Sequence, residues 1–296
     1  MQHITTCICT YKRPKFLGRL LDELVRQETG GCFTHSIVVA DNDLLRSAEP
    51  VVLACAGRSP IPIRYCVEPR QNISLARNKA IDHAEGSLVA FIDDDEFPGR
   101  DWLFTLFHAL QKYAADGVLG PVRPHYEIAP PEWVIKGKFH ERATYATGFI
   151  IDWKKGRTGN VLLSRQLFAE DPPPFRPEFR SGEDQDFFRR MIARGHVFIW
   201  CNEAVAYEIV PPLRWNPTFM LRRAILSGSA SLLHPSGWRK LGKSAFAVPA
   251  YTAALPIALL LGRDRLMHCL IRLCDHVGRL LASVGINPIR EPYVTE

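Results

Sequence analysis

The chain has 296 residues, 47% of them hydrophobic and 23% charged, with eight cysteines and a formal net charge of +6. That composition excludes wholesale disorder and allows one large α/β domain with an appendage, or two modest domains. The charge is unevenly placed, with 11 basic against 4 acidic residues after position 210 and 26 against 27 before it, so an anionic partner is expected for the C-terminal part, nucleic acid and membrane phospholipid being the two candidates.

Met1-Gln2-His3-Ile4 runs straight into a strand signal without a charged-then-apolar leader, so secretion is not expected. Ile4 to Cys9 is a β-rich run, and Cys7 and Cys9 share one face of it. No C-x-x-C pair occurs, which suggests buried free thiols in a reducing compartment better than disulfides or zinc. Phe16 to Gln27 carries Leu17, Leu20, Leu21 and Leu24 at helical spacing. Ser36 to Ala40 is a second strand, closed by Asp41-Asn42-Asp43, and Ile63 to Val67 a third. Ser74 is placed to cap a helix running through Ala84. Leu88 to Ile92 is the fourth strand and Trp102 to Ala114 a further helix. This βαβαβαβ series predicts a mostly parallel sheet flanked by helices, with a ligand beyond the carboxyl ends of the strands. Thr10-Tyr11, Asp41 and Asp93 to Asp95 all follow strand ends.

The triple aspartate is the sharpest of these signals. A buried strand ending in three carboxylates delivers like charges to one point, where a hard cation such as Mg²⁺ or Mn²⁺ would relieve them, using one or two carboxylates and filling its shell with water and phosphate oxygens. The alternative is a solvated turn, helped by Glu96 and Pro98-Gly99. From Pro121 to Pro177 the alternation breaks into Pro- and Trp-rich segments, with Gly159-Asn160-Val161-Leu162-Leu163 interleaved. They are expected to be ordered loops or a binding face. A helix signal returns at Glu183 to Arg194.

Ser244 to Gly262 is 19 residues without a charge, near the about 20 needed to span a bilayer. Pro249 and Pro256 argue against a clean spanning helix. Arg263 to Val284 is amphipathic: Leu266, Leu270, Leu273, Val277, Leu280 and Leu281 fall on one side, with Arg265, Arg272 and Arg279 every seven residues on the other. Such a helix suits an anionic membrane interface with its arginines at the headgroups. A helix packed on the rest of the chain, or a dimer seam, is the alternative.

Five stretches, taken in order, resemble the family 2 glycosyltransferases, the inverting group with the GT-A fold, and among them bacterial enzymes that extend exopolysaccharide. They are Cys9-Thr10-Tyr11-Lys12-Arg13-Pro14, Val39-Ala40-Asp41-Asn42, Asn72-Ile73-Ser74-Leu75-Ala76-Arg77-Asn78, Phe91-Ile92-Asp93-Asp94-Asp95 and Gly182-Glu183-Asp184-Gln185-Asp186. The resemblance implies a GT-A catalytic domain over residues 1–215, its nucleotide-sugar half at 1–100 and its acceptor half at 101–215, followed by a helical, basic and apolar membrane-associated extension at 216–296. Thr10, Tyr11, Arg13 and Asp41 would hold the nucleotide, Tyr11 against the base and Asp41 accepting from a base N–H. Arg77 would approach the diphosphate. Asp95 would be the direct metal ligand, with Asp93 or Asp94 reaching the ribose and Asp93 a second candidate ligand. Asp184 is the implied general base, with Glu183 its competitor.

Ordinary roles stand beside these: Tyr11 as a packed rim aromatic, Asp41 as a turn former, Arg77 as a surface charge paired with Asp82 or solvent, and Glu183 and Asp184 as acidic residues favouring a helix N-terminus. The implied reaction moves a hexose from a nucleoside diphosphate sugar, a UDP-hexose before others, to a lipid-linked or growing saccharide. It would occur on an anionic membrane surface at the cytoplasmic face of the bacterial inner membrane, with the protein peripheral or shallowly inserted. Nucleic acid is not expected as a partner, since no base-stacking aromatic cluster accompanies the basic residues. A sugar nucleotidyltransferase is one competing class, although Cys9 to Arg13 lacks the glycines of a phosphate loop. A catalytically inactive carbohydrate-binding subunit is the other.

Overall fold

A computed structural model describes residues 1–179, 182–232 and 241–286. Each apolar run of the N-terminal half becomes a strand, and each run of helical period crosses back over it: β1 (Gln2–Thr10), α1 (Pro14–Leu24), β2 (Phe33–Asp41), α2 (Glu49–Ala56), β3 (Ile63–Val67), α3 (Ile73–Asp82) and β4 (Leu88–Ile92). The chain continues through β5 (Glu96–Pro98), α4 (Trp102–Tyr113), β6 (Gly117–Leu119), β7 (Val122–His125), α5 (Glu132–Gly137), β8 (Asn160–Ser164), α6 (Glu183–Ala193), β9 (Phe198–Trp200) and β10 (Ala206–Ile209). Three helices follow, α7 (Pro217–Ala230), α8 (Leu241–Leu261) and α9 (Arg263–Ser283). The strands form a seven-stranded sheet of order β3-β2-β1-β4-β8-β6-β9 and a small sheet of order β5-β10-β7.

In the large sheet β3, β2, β1 and β4 are parallel, and β8 runs antiparallel to both of its neighbours. Alternate residues feed two cores. Ile4 and Ile8 of β1, with Leu88, Ala90 and Ile92 of β4, pack with the leucines of α1 and with Trp102, Leu103 and Leu106 of α4. Cys7, Val89 and Phe91 face the other way, toward Ala76 and Ala80 of α3 and Phe187, Phe188 and Met191 of α6. Each large side chain so buried contributes roughly 1.5–3 kcal/mol.

Three expectations change. The helix start at Ser74 is capped instead by Asn72, whose side-chain oxygen accepts from the Ser74 and Leu75 N–H groups, at 2.9 and 3.3 Å. The stretch expected to be loops contains β8 in mid-sheet, where Val161, Leu162 and Leu163 are fully buried; its proline-rich flanks break the strand–helix alternation that marks the other strands. All eight cysteines are free, and Cys32 is exposed rather than buried.

Two compact units are present. One comprises residues 1–125 and 142–209 and carries both sheets; the other comprises 126–141 and 210–296 and is helical. In the helical unit α7 and α9 meet backbone to backbone, because a Cβ on Gly228 would overlap the Asp275 carbonyl and one on Gly278 the Ile225 carbonyl. That approach places Arg279 inside rather than on an outer arginine face. Its guanidinium donates to Ser231 Oγ at 2.8 Å, to Ser244 Oγ at 3.0 Å and to Asp275 at 2.8 Å. Arg265 and Arg272 remain exposed. Despite Pro249 and Pro256, α8 is continuous, and among the described residues it is the one helix long and apolar enough to cross a membrane.

Candidate functional site

Parallel pairing of β1 with β4, in register from Ile4↔Leu88 to Cys7↔Phe91, carries the loop after β1 and the acidic run after β4 to the same sheet edge. The Thr10 hydroxyl donates to Asp94 Oδ2 at 2.7 Å. Arg13 donates to both Asp94 and Asp95 at 3.2 Å. Lys12 takes a left-handed φ of 57° between them, and its ammonium lies 5.1 Å from the centre of the Tyr11 ring. Thr10, Arg13, Asp94 and Asp95 are thus one cluster, and Tyr11 stands at its edge.

The acidic run is a concentrated negative centre. Burial, then the Asp95 charge, pushes Asp94 up to about 7, against the pull of Arg13. Burial raises Asp93 too, with Arg77 opposing and Asp95 adding to the rise. In the sequence Glu96 reads only as part of a turn. It is fully buried, raised first by burial and then by Asp93 and Asp95, and its Oε1 has no hydrogen-bond partner. Gly159 leaves the room for this, since a Cβ there would stand 2.9 Å from Asp93 Oδ2 and 3.0 Å from Glu96 Oε1. Arg142, paired with Glu208 at 2.6 Å, is within Coulombic reach of Asp93, Asp95 and Glu96. Neither residue carries a local signal, because the two lie 66 positions apart.

Asp41 is completely buried and organises its loop. Oδ1 accepts from the Asp43 N–H at 3.0 Å, and Oδ2 from the Ala48 N–H and the Tyr65 hydroxyl, both at 2.9 Å. Burial and that bond raise Tyr65. A carboxylate has about four lone-pair sites, so about one remains. Asn42, which no sequence signal marks as a site residue, ties the next loop in by donating to the carbonyls of Glu68 and Arg70 at 2.8 Å and accepting from the Asn72 N–H at 2.8 Å.

Arg77 is neither paired with Asp82 nor solvated. It is buried, lies over the Phe175 ring and forms an ion pair with Glu183. Its charge also reaches Asp93 and Asp184, so it joins the strand-end carboxylates to the start of α6. Gly182 enters that helix at a φ of 82°, a conformation glycine adopts without strain. The three acids of the motif are then sorted. Glu183 is held by Arg77, and Asp186 by Arg189 and Arg190 at 2.6 and 2.8 Å. Asp184 accepts only its neighbour's backbone N–H, at 2.7 Å, among the described residues. Burial, then Glu183, pushes it up to about 6 against the pull of Arg77. A half-buried carboxylate poised near neutral pH can accept a proton from a hydroxyl.

No three His, Cys, Asp or Glu side chains converge as a complete metal cage among the described residues. The donor set nevertheless suits a hard cation that brings its own water and phosphate ligands: all-oxygen carboxylates crowded enough to be raised, beside an unpartnered Glu96 oxygen.

The family model for glycosyl transferase family 2 matches residues 5–163. Succinoglycan biosynthesis protein ExoM of Rhizobium meliloti (strain 1021) is 35% identical over 229 residues, which cover 76% of this chain and 73% of that protein. Mannosyltransferase PcManGT from Pyrobaculum calidifontis, solved with GDP-Man and Mn²⁺, shares the fold at a TM-score of 0.64 and 17% identity, over 95% of this chain and 87% of that one. S. aureus TarS 1–349 in complex with UDP-GlcNAc does so at 0.57 and 14% identity, over 98% and 93%. The chain spans 55% of the longer TarS structure.

Proposed function

The chain belongs to glycosyl transferase family 2, and from that premise we propose that it is a metal-dependent inverting hexosyltransferase. It uses a nucleoside diphosphate sugar, a UDP-hexose before a GDP-hexose, and extends a lipid-linked saccharide in surface polysaccharide synthesis. The observation that carries this reading is Arg77, whose charge reaches both Asp93 at the strand ends and Asp184 at the start of α6. A donor end and a base end are thereby set around one buried cation. The relatives support the substrate class: ExoM belongs to succinoglycan biosynthesis, and the two structural neighbours were solved with nucleotide sugars.

On that reading we assign the residue roles. Tyr11 offers its ring to the base, and Asp41, completely buried, would serve the nucleotide by holding the Asp43-to-Ala48 loop and Tyr65 in place. Thr10 and Arg13 hold Asp94 and Asp95 in place. Asp95, with Asp93 as the second ligand, would hold Mg²⁺ or Mn²⁺, and Asp94 would reach the ribose. When bound, the ion neutralises charge on the departing diphosphate. Arg77 is paired with Glu183 through one nitrogen in the resting protein, and its other guanidinium N–H groups would serve the diphosphate.

Asp184 takes the proton of the acceptor hydroxyl as the hydroxyl oxygen bonds to the anomeric carbon. The bond from that carbon to the diphosphate oxygen breaks on the opposite side, its electron pair leaving with the nucleoside diphosphate. The sugar is therefore delivered with inverted configuration. Base catalysis of this kind contributes on the order of 10²–10⁴-fold.

The outer side of α8 leaves Phe246 81% and Leu260 87% exposed, an apolar surface that suits contact with a bilayer. We place the protein on the cytoplasmic membrane surface by this helix. Calorimetry over UDP-, GDP- and dTDP-sugars with Mn²⁺ tests the donor reading. One donor class should bind with Mn²⁺ and lose affinity in EDTA or in Asp95→Ala. Equal binding in all three conditions would overturn the metal assignment.

A further inference from the structure

The helices that carry Arg77 and Asp184 are joined by more than the Arg77–Glu183 pair. Residues 171–179 form neither helix nor strand, yet they bond to both α3 and α6, all within the unit that carries the sheets. From α3, Asn78 holds the Phe175 backbone twice, donating to its carbonyl at 2.7 Å and accepting its N–H at 3.0 Å. Asn72 donates its side-chain N–H to the Pro177 carbonyl at 2.9 Å. From α6, the Arg190 guanidinium donates to the Pro174 carbonyl and, at 2.7 Å, to Asp171. The Phe175 ring is fully buried against Phe91 and Phe187, and Arg77 lies over it, 5.5 Å from its centre. The stretch is therefore a strap fastened to both helices, with Arg77 resting on its middle.

Asn72 is where this strap meets the nucleotide side. Its backbone N–H donates to Asn42 Oδ1 at 2.8 Å, next in the chain to Asp41, and its side-chain oxygen caps α3. One amide thus spends its oxygen on the helix and its nitrogen on the strap. Ser74 Oγ reaches the Phe179 carbonyl only at 3.5 Å, a weak contact. Of the bonds that α3 sends to the strap, the one from Asn72 is the last at full strength before Gly182 opens α6.

We propose that Asn72 is a positioning residue for the transfer: through the Pro177 carbonyl it fixes the strap so that α6 presents Asp184 to the acceptor hydroxyl. The inference rests on reading Asp184 as the base. Two substitutions separate this role from helix capping. Asn72→Asp and Asn72→Ser each keep an oxygen at the cap, where Asp and Ser serve about as well as Asn, and each keeps the backbone N–H that bonds Asn42. Neither can hold Pro177, because the carboxylate has no N–H and the serine side chain is one bond shorter.

The full-length variants should bind the donor sugar nucleotide with wild-type affinity by calorimetry and keep wild-type helical content. Turnover should fall about fivefold with the donor KM unchanged, the rate equivalent of one ordinary hydrogen bond. Added to Asp184→Asn, Asn72→Ser should cause no further loss, since it acts through that carboxylate. Amide exchange over α6 should quicken in both variants while exchange over α1 stays as in the wild type.

Full turnover in both variants would overturn the proposal. So would a loss confined to the donor KM, which would leave Asn72 a support of the nucleotide loop, or a further fivefold loss on top of Asp184→Asn. Exchange over α6 decides independently of catalysis, and unchanged exchange in both variants would also overturn it. Failure here is separable from failure of the transferase reading. A protein that transfers sugar at full rate in both variants sinks only the role of Asn72, whereas one that transfers no sugar in any form, yet exchanges faster over α6 in both variants, sinks only the reaction.

Discussion

Glu183 and Asp184 are neighbours with opposite expected responses to loss of charge, and this separates base from scaffold. The Arg77 and Glu183 side chains are only 9% and 8% exposed. Removing one partner of a buried pair leaves the other uncompensated, at a cost of about 3–5 kcal/mol. Asp93 and Asp184 lie within reach of Arg77 and soften this, so Glu183→Gln should lose about 3 kcal/mol, the lower end of that range. With a urea slope of about 2–3 kcal/mol per M, the midpoint should fall by about 1 M.

For Asp184 the sign reverses. Its folded-state pKa is raised from 3.8 to about 6, so the fold disfavours the ionised form. That penalty is fully present above pH 6 and fades as pH falls toward 4. Asp184→Asn should therefore be neutral or stabilising at pH 8, by up to about 3 kcal/mol, while turnover drops about 10²-fold or more and donor affinity stays. Urea denaturation and initial rates on the same samples make the test. Near-normal turnover in Asp184→Asn, beside a Glu183→Gln protein that is stable but inactive, would refute the assignment and move the base by one residue.

Three further outcomes follow from the same geometry. In the wild type, turnover at saturating donor should be flat above about pH 6 and fall about tenfold per unit below it, as Asp184 takes up its proton; a profile still rising at pH 8 would point to another base. Gly228→Leu should disrupt the α7–α9 crossing, because any side chain there meets the Asp275 carbonyl. The expected cost is about 1–3 kcal/mol or more, read as lost helicity on heating, with calorimetric donor affinity unchanged. Phe246→Ser with Leu260→Ser should reduce flotation with anionic liposomes, while about 0.5 M salt, enough to screen surface charge, should release the wild type poorly; a wild-type protein that never floats would rule out the membrane contact.

The fold is legible where one strand or helix settles its own burial. Leu88 to Ile92 is apolar on both faces, so the run of residues alone puts the triple aspartate at a strand end. What brings Thr10 and Arg13 onto that aspartate run is the pairing of two strands more than 80 positions apart, and no local pattern encodes it. β8 escapes a sequence reading for the opposite reason. Its five residues lie in mid-sheet among proline-rich neighbours, so an apolar run as short and as buried as that of β4 is hidden by the broken strand–helix alternation around it.

Arg279 shows the same limit for helices. Its heptad spacing with Arg265 and Arg272 correctly says that the three lie along one side of α9. Periodicity says which residues share a side, but not what packs against each turn of it. At the C-terminal end that neighbour is α7, drawn in through Gly228 and Gly278, and the arginine there is satisfied by Ser231, Ser244 and Asp275. At the N-terminal end the same side borders an open groove against α8, where Arg265, beside Asp264 at 3.6 Å, and Arg272 stay exposed. One sequence pattern thus serves as a structural anchor at one end of the helix and as an exposed charged face at the other, and the close approach at the two glycines marks where the change occurs.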